Sequence, residues 1–154
     1  MNRPLAILAL AALAAGCQPV VGPATVIDGD TIQIAGTRFR LVGIDAPELK
    51  QVCVTVDGVK WPCGMEAARA LRKRTHGLPI ECKRGDEDGY GRIIGLCSQA
   101  GEDLSKWLVS RGLALAYRRY SDRYVADEDR ARTARIGMWS GFFDEPWRWR
   151  RGNH

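Results

Sequence analysis

The sequence predicts an α+β domain whose short strands curl into a closed or partly closed barrel. Three observations carry this expectation. Five short β-rich segments are separated by tight Gly turns, three helical segments are interleaved with them, and 154 residues suit one hydrophobic core. So few strands in an open sheet would leave unpaired edges, and closure removes them.

Residues 1–16 are expected to stand outside the domain. Arg3 precedes an apolar run from Leu5 to Ala15, shorter than the roughly 20 residues a membrane-spanning helix needs. A basic start, a short apolar stretch and small residues at its end describe a secretory signal. Leu13-Ala14-Ala15-Gly16 runs directly into Cys17, as in a bacterial lipoprotein cleavage site. Cys17 is therefore expected to be the lipidated first residue of an exported, membrane-anchored chain. Residues 17–22 then read as a tether, 23–141 as the folded domain and 142–154 as an aromatic and basic tail.

Within the domain, Ala24 to Asp28, Thr31 to Ile34 and Arg38 to Ile44 form a predicted meander, with turns at Asp28-Gly29 and Gly36. Leu49 to Cys63 reads as a long loop. Met65 to Thr75 reads as a helix, acid early and bases late as the helix dipole prefers. Leu78 to Lys83 and Arg92 to Cys97 are two further strands around an acidic, Gly-rich turn. Glu102 to Ser110 is a second helix, with Leu104, Trp107 and Leu108 on one face and Gly112 as its stop. Leu113 to Tyr117 is extended, and Asp122 to Ile136 is a third helix ended by Gly137.

With Cys17 set aside, Cys53, Cys63, Cys82 and Cys97 remain. An even number in an exported chain implies two disulfides, for which three connectivities exist. Pairing of sequence neighbours, Cys53 with Cys63 and Cys82 with Cys97, is the least costly. No CxxC pair marks a zinc or redox site, and with two His in the chain a His-rich metal centre or His-based triad has little support. Phosphate-loop, dinucleotide and hydrolase-elbow motifs are also absent. The net charge of +5, reduced by one when Arg3 leaves with the signal, points to an anionic partner.

Two stretches carry functional groups that folding alone does not require. In Val26-Ile27-Asp28-Gly29-Asp30-Thr31 the first Asp suits the turn, whereas Asp30 enters a strand where a carboxylate needs a partner. In Phe39-Arg40-Leu41-Val42-Gly43-Ile44-Asp45-Ala46-Pro47-Glu48, Asp45 ends an apolar strand. Two such acids and a backbone carbonyl suit a hard cation such as Ca2+. Arg40 and Asp45 differ by an odd number, so a straight strand would point them to opposite faces. A shared site requires a bulge, a strong twist, or Asp45 beyond the strand end.

These segments, with Tyr90-Gly91-Arg92, Gly112-Leu113-Ala114 followed by Tyr117, and Gly137-Met138-Trp139-Ser140-Gly141, resemble the staphylococcal nuclease (thermonuclease) family from about Ala24 to Gly141. The resemblance implies a five-stranded OB-type β-barrel with three α-helices. It implies a Ca2+-dependent hydrolysis of phosphodiester bonds in DNA, with RNA left open. The family's metal ligands fall on Asp30, Asp45 and the backbone carbonyl of Ala46. Its general base falls on Glu48, its phosphate-binding arginines on Arg40 and Arg92, and its substrate-contacting tyrosines on Tyr90 and Tyr117. The chain is expected to act as a monomer on nucleic acid. On this reading the two disulfides would stiffen both edges of the site, Cys82–Cys97 near Arg92 and Cys53–Cys63 just after Glu48.

Two other classes stay open: a catalytically silent OB-type nucleic-acid-binding module, and a structural envelope lipoprotein. The tail Trp147-Arg148-Trp149-Arg150-Arg151 is expected to pack its aromatic rings, with Phe142 and Phe143, on the barrel and leave its arginines in water. A base-stacking or membrane-interface extension is the alternative. His76 reads as a dipole partner at a helix end.

Overall fold

The computed structural model describes residues 18–152, so the expected signal segment and Cys17 lie outside the described residues. The first strand, β1, is Val20–Gly22, followed by β2 at Ala24–Val26. Val20–Gly22 was expected in a tether. It instead pairs antiparallel with β8, Ile80–Glu87, and covers an edge of the sheet.

Next come β3, Thr31–Ile34, and β4, Thr37–Leu41, joined by Ala35 and Gly36. Both turn residues have positive φ, 47° and 83°, which gives a two-residue loop the twist of its strands. Ile32, Ile34, Phe39 and Leu41 alternate into the core and are buried. Strand β8 forms a longer hairpin with β9, Ile93–Gln99, and β9 also lies parallel to β4. The resulting order is β1-β8-β9-β4-β3-β2, with β10, Glu102–Asp103, added to β9. The five expected strands are thus present as β2, β3, β4, β8 and β9, in the curled sheet of an OB-type fold. The β4–β9 pair places Phe39 beside Ile93, and so sets Arg40, on β4, near Arg92, the residue just before β9.

The expected strand from Arg38 to Ile44 is broken. Gly43 has φ 71°, and a Cβ there would stand 3.0 Å from Cε2 of Tyr124, so the chain turns closely past that ring. Ile44–Asp45 then forms a separate strand, β5, which pairs with β11, Leu115–Ala116. The segment expected as a long loop contains a hairpin, β6 at Cys53–Thr55 and β7 at Lys60–Trp61, turned at Asp57-Gly58. With β12, Gly141–Phe142, it makes a second small sheet.

Helix α1 spans Cys63–Thr75 and buries Ala67, Ala68, Leu71 and Thr75 along one face. Helix α2 is Leu104–Ser110, and the Asp103 carboxylate caps it by accepting the Lys106 N–H at 3.2 Å. Helix α3, Val125–Thr133, is shorter than the expected segment at both ends. A fourth helix, α4, occupies Pro146–Gly152, where only a tail was expected. Its first residue is Pro146, whose missing N–H costs nothing there. Among the described residues no helix is long and apolar enough to cross a membrane.

Both disulfides form as expected. Cys82 and Cys97 are direct cross-strand partners in the main core, and Cys53–Cys63 joins the hairpin to the start of α1. Closing chain separations of 10 and 15 residues stabilises the fold by roughly 3 kcal/mol each in the chain-entropy model. A smaller core of Cys53, Cys63, Leu115 and Met138, flanked by Trp61, Trp139, Phe143 and Trp147, seats the tail.

Candidate active site

Asp30 stands at the start of β3, after a turn in which the Asp28 carboxylate accepts the Asp30 N–H at 3.0 Å. Its side chain is buried. Oδ1 accepts from Arg40 Nη1 at 2.6 Å, and Oδ2 accepts the backbone N–H of Ala46 at 2.9 Å. Asp45 is wholly buried, and its Oδ1 accepts from Arg40 Nη2 at 2.8 Å. The break at Gly43 therefore resolves the parity problem: Asp45 belongs to a new strand, and Arg40 bridges both carboxylates. Burial pushes the Asp30 carboxyl up to about 7, against the opposing pull of Arg40 and the Ala46 N–H. Burial also works against the charge of Arg40, but Asp30 and Asp45 outweigh it and raise its pKa.

Arg92 joins this group through Thr31. Its Nη1 donates to Thr31 Oγ1 at 3.2 Å, and that hydroxyl donates to Asp30 Oδ1 at 3.2 Å. Asp88 fixes the other side of the guanidinium, accepting Arg92 Nε at 2.8 Å and the Arg92 N–H at 3.0 Å. Partial burial opposes ionisation of Asp88, but these bonds, with one from the Tyr90 N–H, lower its pKa overall. The Cys82–Cys97 bridge ties the base of this hairpin; Asp88 is what holds Arg92 directly.

Glu48 is positioned by its backbone. Its N–H donates to Gln51 Oε1 at 3.2 Å, and its carbonyl accepts the Gln51 N–H at 2.7 Å. Gln51 is fully buried, and its Nε2 donates to the carbonyl of Asp144 at 2.7 Å. Gly64 packs from the other side: a Cβ there would lie 1.7 Å from the Glu48 carbonyl oxygen, so only Gly fits. The Cys53–Cys63 bridge begins two residues after Gln51 and ends beside Gly64.

Tyr90 is 79% exposed at the rim, with the Arg92 guanidinium 5.5 Å from its ring centroid. Tyr117 is held by its N–H on the Gly43 carbonyl at 2.9 Å, and its ring lies edge-on to Tyr120. The strand before it is tied to α3 by buried Glu128, which accepts the Ala116 N–H at 3.0 Å. An open cleft of about 1190 Å3 takes in Arg40, Glu48, Tyr90, Arg92 and Tyr117, with Lys83, Arg84 and Arg123 adding positive charge.

The tail departs from expectation in one decisive respect. Arg148 and Arg151 are exposed as expected, but Arg150 enters the site. Its Nη2 donates to Asp45 Oδ2 at 2.7 Å, and its Nη1 to Glu48 Oε1 at 2.7 Å and Asp45 Oδ1 at 3.1 Å. Burial opposes the Arg150 charge, and these acceptors more than offset it, raising the pKa. Trp147 stacks flat on Tyr117, centroids 5.4 Å apart and planes within 4°. Phe142, expected to pack, is 67% exposed. The signal for α4 was the three-residue spacing of Trp147 and Arg150, which shares one helix face, together with Pro146 as a helix start. Gln51 and Gly64 carried no comparable signal.

The donor set suits a hard cation. Asp30 and Asp45 offer buried carboxylate oxygens, and the backbone of Ala46 lies against Asp30, its N–H on Oδ2. Among the described residues no three His, Cys, Asp or Glu side chains converge on one point, so water would complete the coordination.

A curled OB-type barrel with paired buried carboxylates, bridging arginines and a basic cleft defines a class built to handle phosphate esters. The chain belongs to the staphylococcal nuclease family: a family model described as "Staphylococcal nuclease homologue" matches residues 38–141. It is 39% identical over 140 residues to the "Succinoglycan biosynthesis protein ExoI" of Rhizobium meliloti (strain 1021), covering 88% of this chain and 72% of that one. It is 32% identical over 133 residues to an "Uncharacterized endonuclease" of Escherichia coli, covering 81% and 80%. An "Uncharacterized 38.1 kDa protein" of Capnoides sempervirens is 32% identical over 140 residues, and there the chain spans only 37% of the relative.

Proposed function

We propose that this chain is an exported, Ca2+-dependent nuclease that hydrolyses phosphodiester bonds of DNA. The observation that carries the reading is that Arg40, Glu48 and Arg92 line one basic cleft while buried Asp30 and Asp45 hold Arg40 from behind. Asp30, Asp45 and the Ala46 carbonyl would hold the cation, which when bound supplies Lewis-acid polarisation of a phosphoryl oxygen. Glu48 accepts a proton from the attacking water, whose oxygen bonds to phosphorus as the P–O bond to the leaving oxygen breaks. Attack adds charge to the non-bridging oxygens. Arg40 and Arg92 present planar forks that match two such oxygens, one on β4 and the other just before the neighbouring β9. Tyr90 offers an exposed ring beside Arg92 for a neighbouring nucleotide.

Plasmid DNA incubated with the purified chain should be degraded in Ca2+ and left intact in excess chelator. Binding without cleavage in Ca2+ would instead support the silent module.

Export to an oxidising compartment belongs to the same proposal, and the two disulfides support it. Intact mass of unreduced protein from its native envelope should show a lipidated N-terminus at Cys17 and no free thiol. An unprocessed N-terminus or free thiols would refute this part.

A further inference from the structure

Helix α4 lies beyond the segment matched by the family model, yet it delivers a guanidinium to the centre of the site. The helix is firmly seated: Pro146 is buried, Trp147 lies flat on Tyr117, and the preceding Asp144 carbonyl is held by Gln51. Arg150 spans both oxygens of Asp45 and one of Glu48. Guanidinium has five donors and no acceptor, so it cannot ligate a cation; it can only occupy or repel one. On Asp45 it takes oxygens that a cation would need, and on Glu48 it takes one of the two carboxylate oxygens.

We propose that Arg150 is the resident counter-cation of the Asp45–Glu48 pair, and that α4 sets the cation concentration at which the site loads. This rests on the reading of Asp30 and Asp45 as a cation seat. With Arg150 docked, Asp30, Asp45 and Glu48 face two guanidiniums, from Arg40 and Arg150. Without Arg150 they face only that of Arg40, and the seat is one unit more negative. A divalent ion must therefore either displace Arg150 or enter beside it, and both weaken its binding. Trp147 contributes by anchoring: its stacking on Tyr117 keeps the guanidinium at high local concentration over Asp45.

Calorimetric titration of Ca2+ into the full mature chain tests this, comparing wild type with Arg150→Gln, Trp147→Ala and Asp45→Asn. Arg150→Gln should bind Ca2+ at least about tenfold more tightly, since one like charge leaves the first contact distance. Trp147→Ala should shift affinity in the same direction by a smaller factor, because it loosens α4 without removing charge. Asp45→Asn should lose binding. Wild-type binding that Arg150→Gln leaves unchanged or weakens overturns the role of Arg150 while sparing the cation seat. Absence of binding in all four chains overturns both together. Binding by Arg150→Gln but not by wild type supports the proposal in its strongest form.

Discussion

Glu48→Gln is expected to lower the rate of phosphodiester hydrolysis roughly 10³-fold, the range attributed to a lost general base. The substitution is nearly isosteric and leaves the local structure in place. Glu48 is positioned through its own N–H and carbonyl on Gln51, and its side chain is about one-third exposed. Its one strong side-chain contact is with Arg150, which Gln can still meet through its carbonyl oxygen. Initial rates on a fluorogenic oligonucleotide at saturating Ca2+, with unfolding followed by circular dichroism, separate chemistry from folding. A rate within tenfold of wild type would remove Glu48 from the mechanism.

Arg40→Lys is expected to cost about 10²- to 10³-fold in rate although the charge is kept. Arg40 reaches Asp30 with Nη1 and Asp45 with Nη2, and Nη2 also donates to the Ile44 carbonyl at 3.3 Å. An ammonium is a point charge and cannot span both carboxylates in the same geometry. One of them is then left poorly compensated in a buried place, so stability should fall by roughly 1–3 kcal/mol as well. Rate measurement paired with urea unfolding reads both effects. Arg92 is held by Asp88 at the hairpin rather than between buried acids, so this double effect is specific to Arg40. Near-wild-type cleavage by Arg40→Lys would show that its fork does not meet the transition state.

Much of this site was legible because its parts are short segments with local signals. Asp30 and Asp45 stood out as carboxylates at strand ends, and the five strands of the sheet were visible in their alternation and Gly turns. Their meeting was not legible. It depends on the break at Gly43, where a positive φ and the approach of Tyr124 start a new strand before Asp45. Tyr124 is far away in sequence, and no window around Gly43 contains it. The hairpin within residues 49–63 was missed because Asp57-Gly58 suits an irregular loop as well as a β-turn. The tail was misread for a different reason. Alternating Trp and Arg suggested rings inward and charges outward, whereas a helical period puts Trp147 and Arg150 together, facing the cleft.

Gln51 spends its whole amide on two parts of the molecule, the turn that carries Glu48 and the carbonyl that precedes α4. The two are thereby mechanically linked. A change at position 51 would therefore disturb the turn of Glu48 and the entry to α4 at once. The C-terminal helix, which follows the matched family segment, is in this way tied to the candidate base by a single side chain in the loop after Glu48.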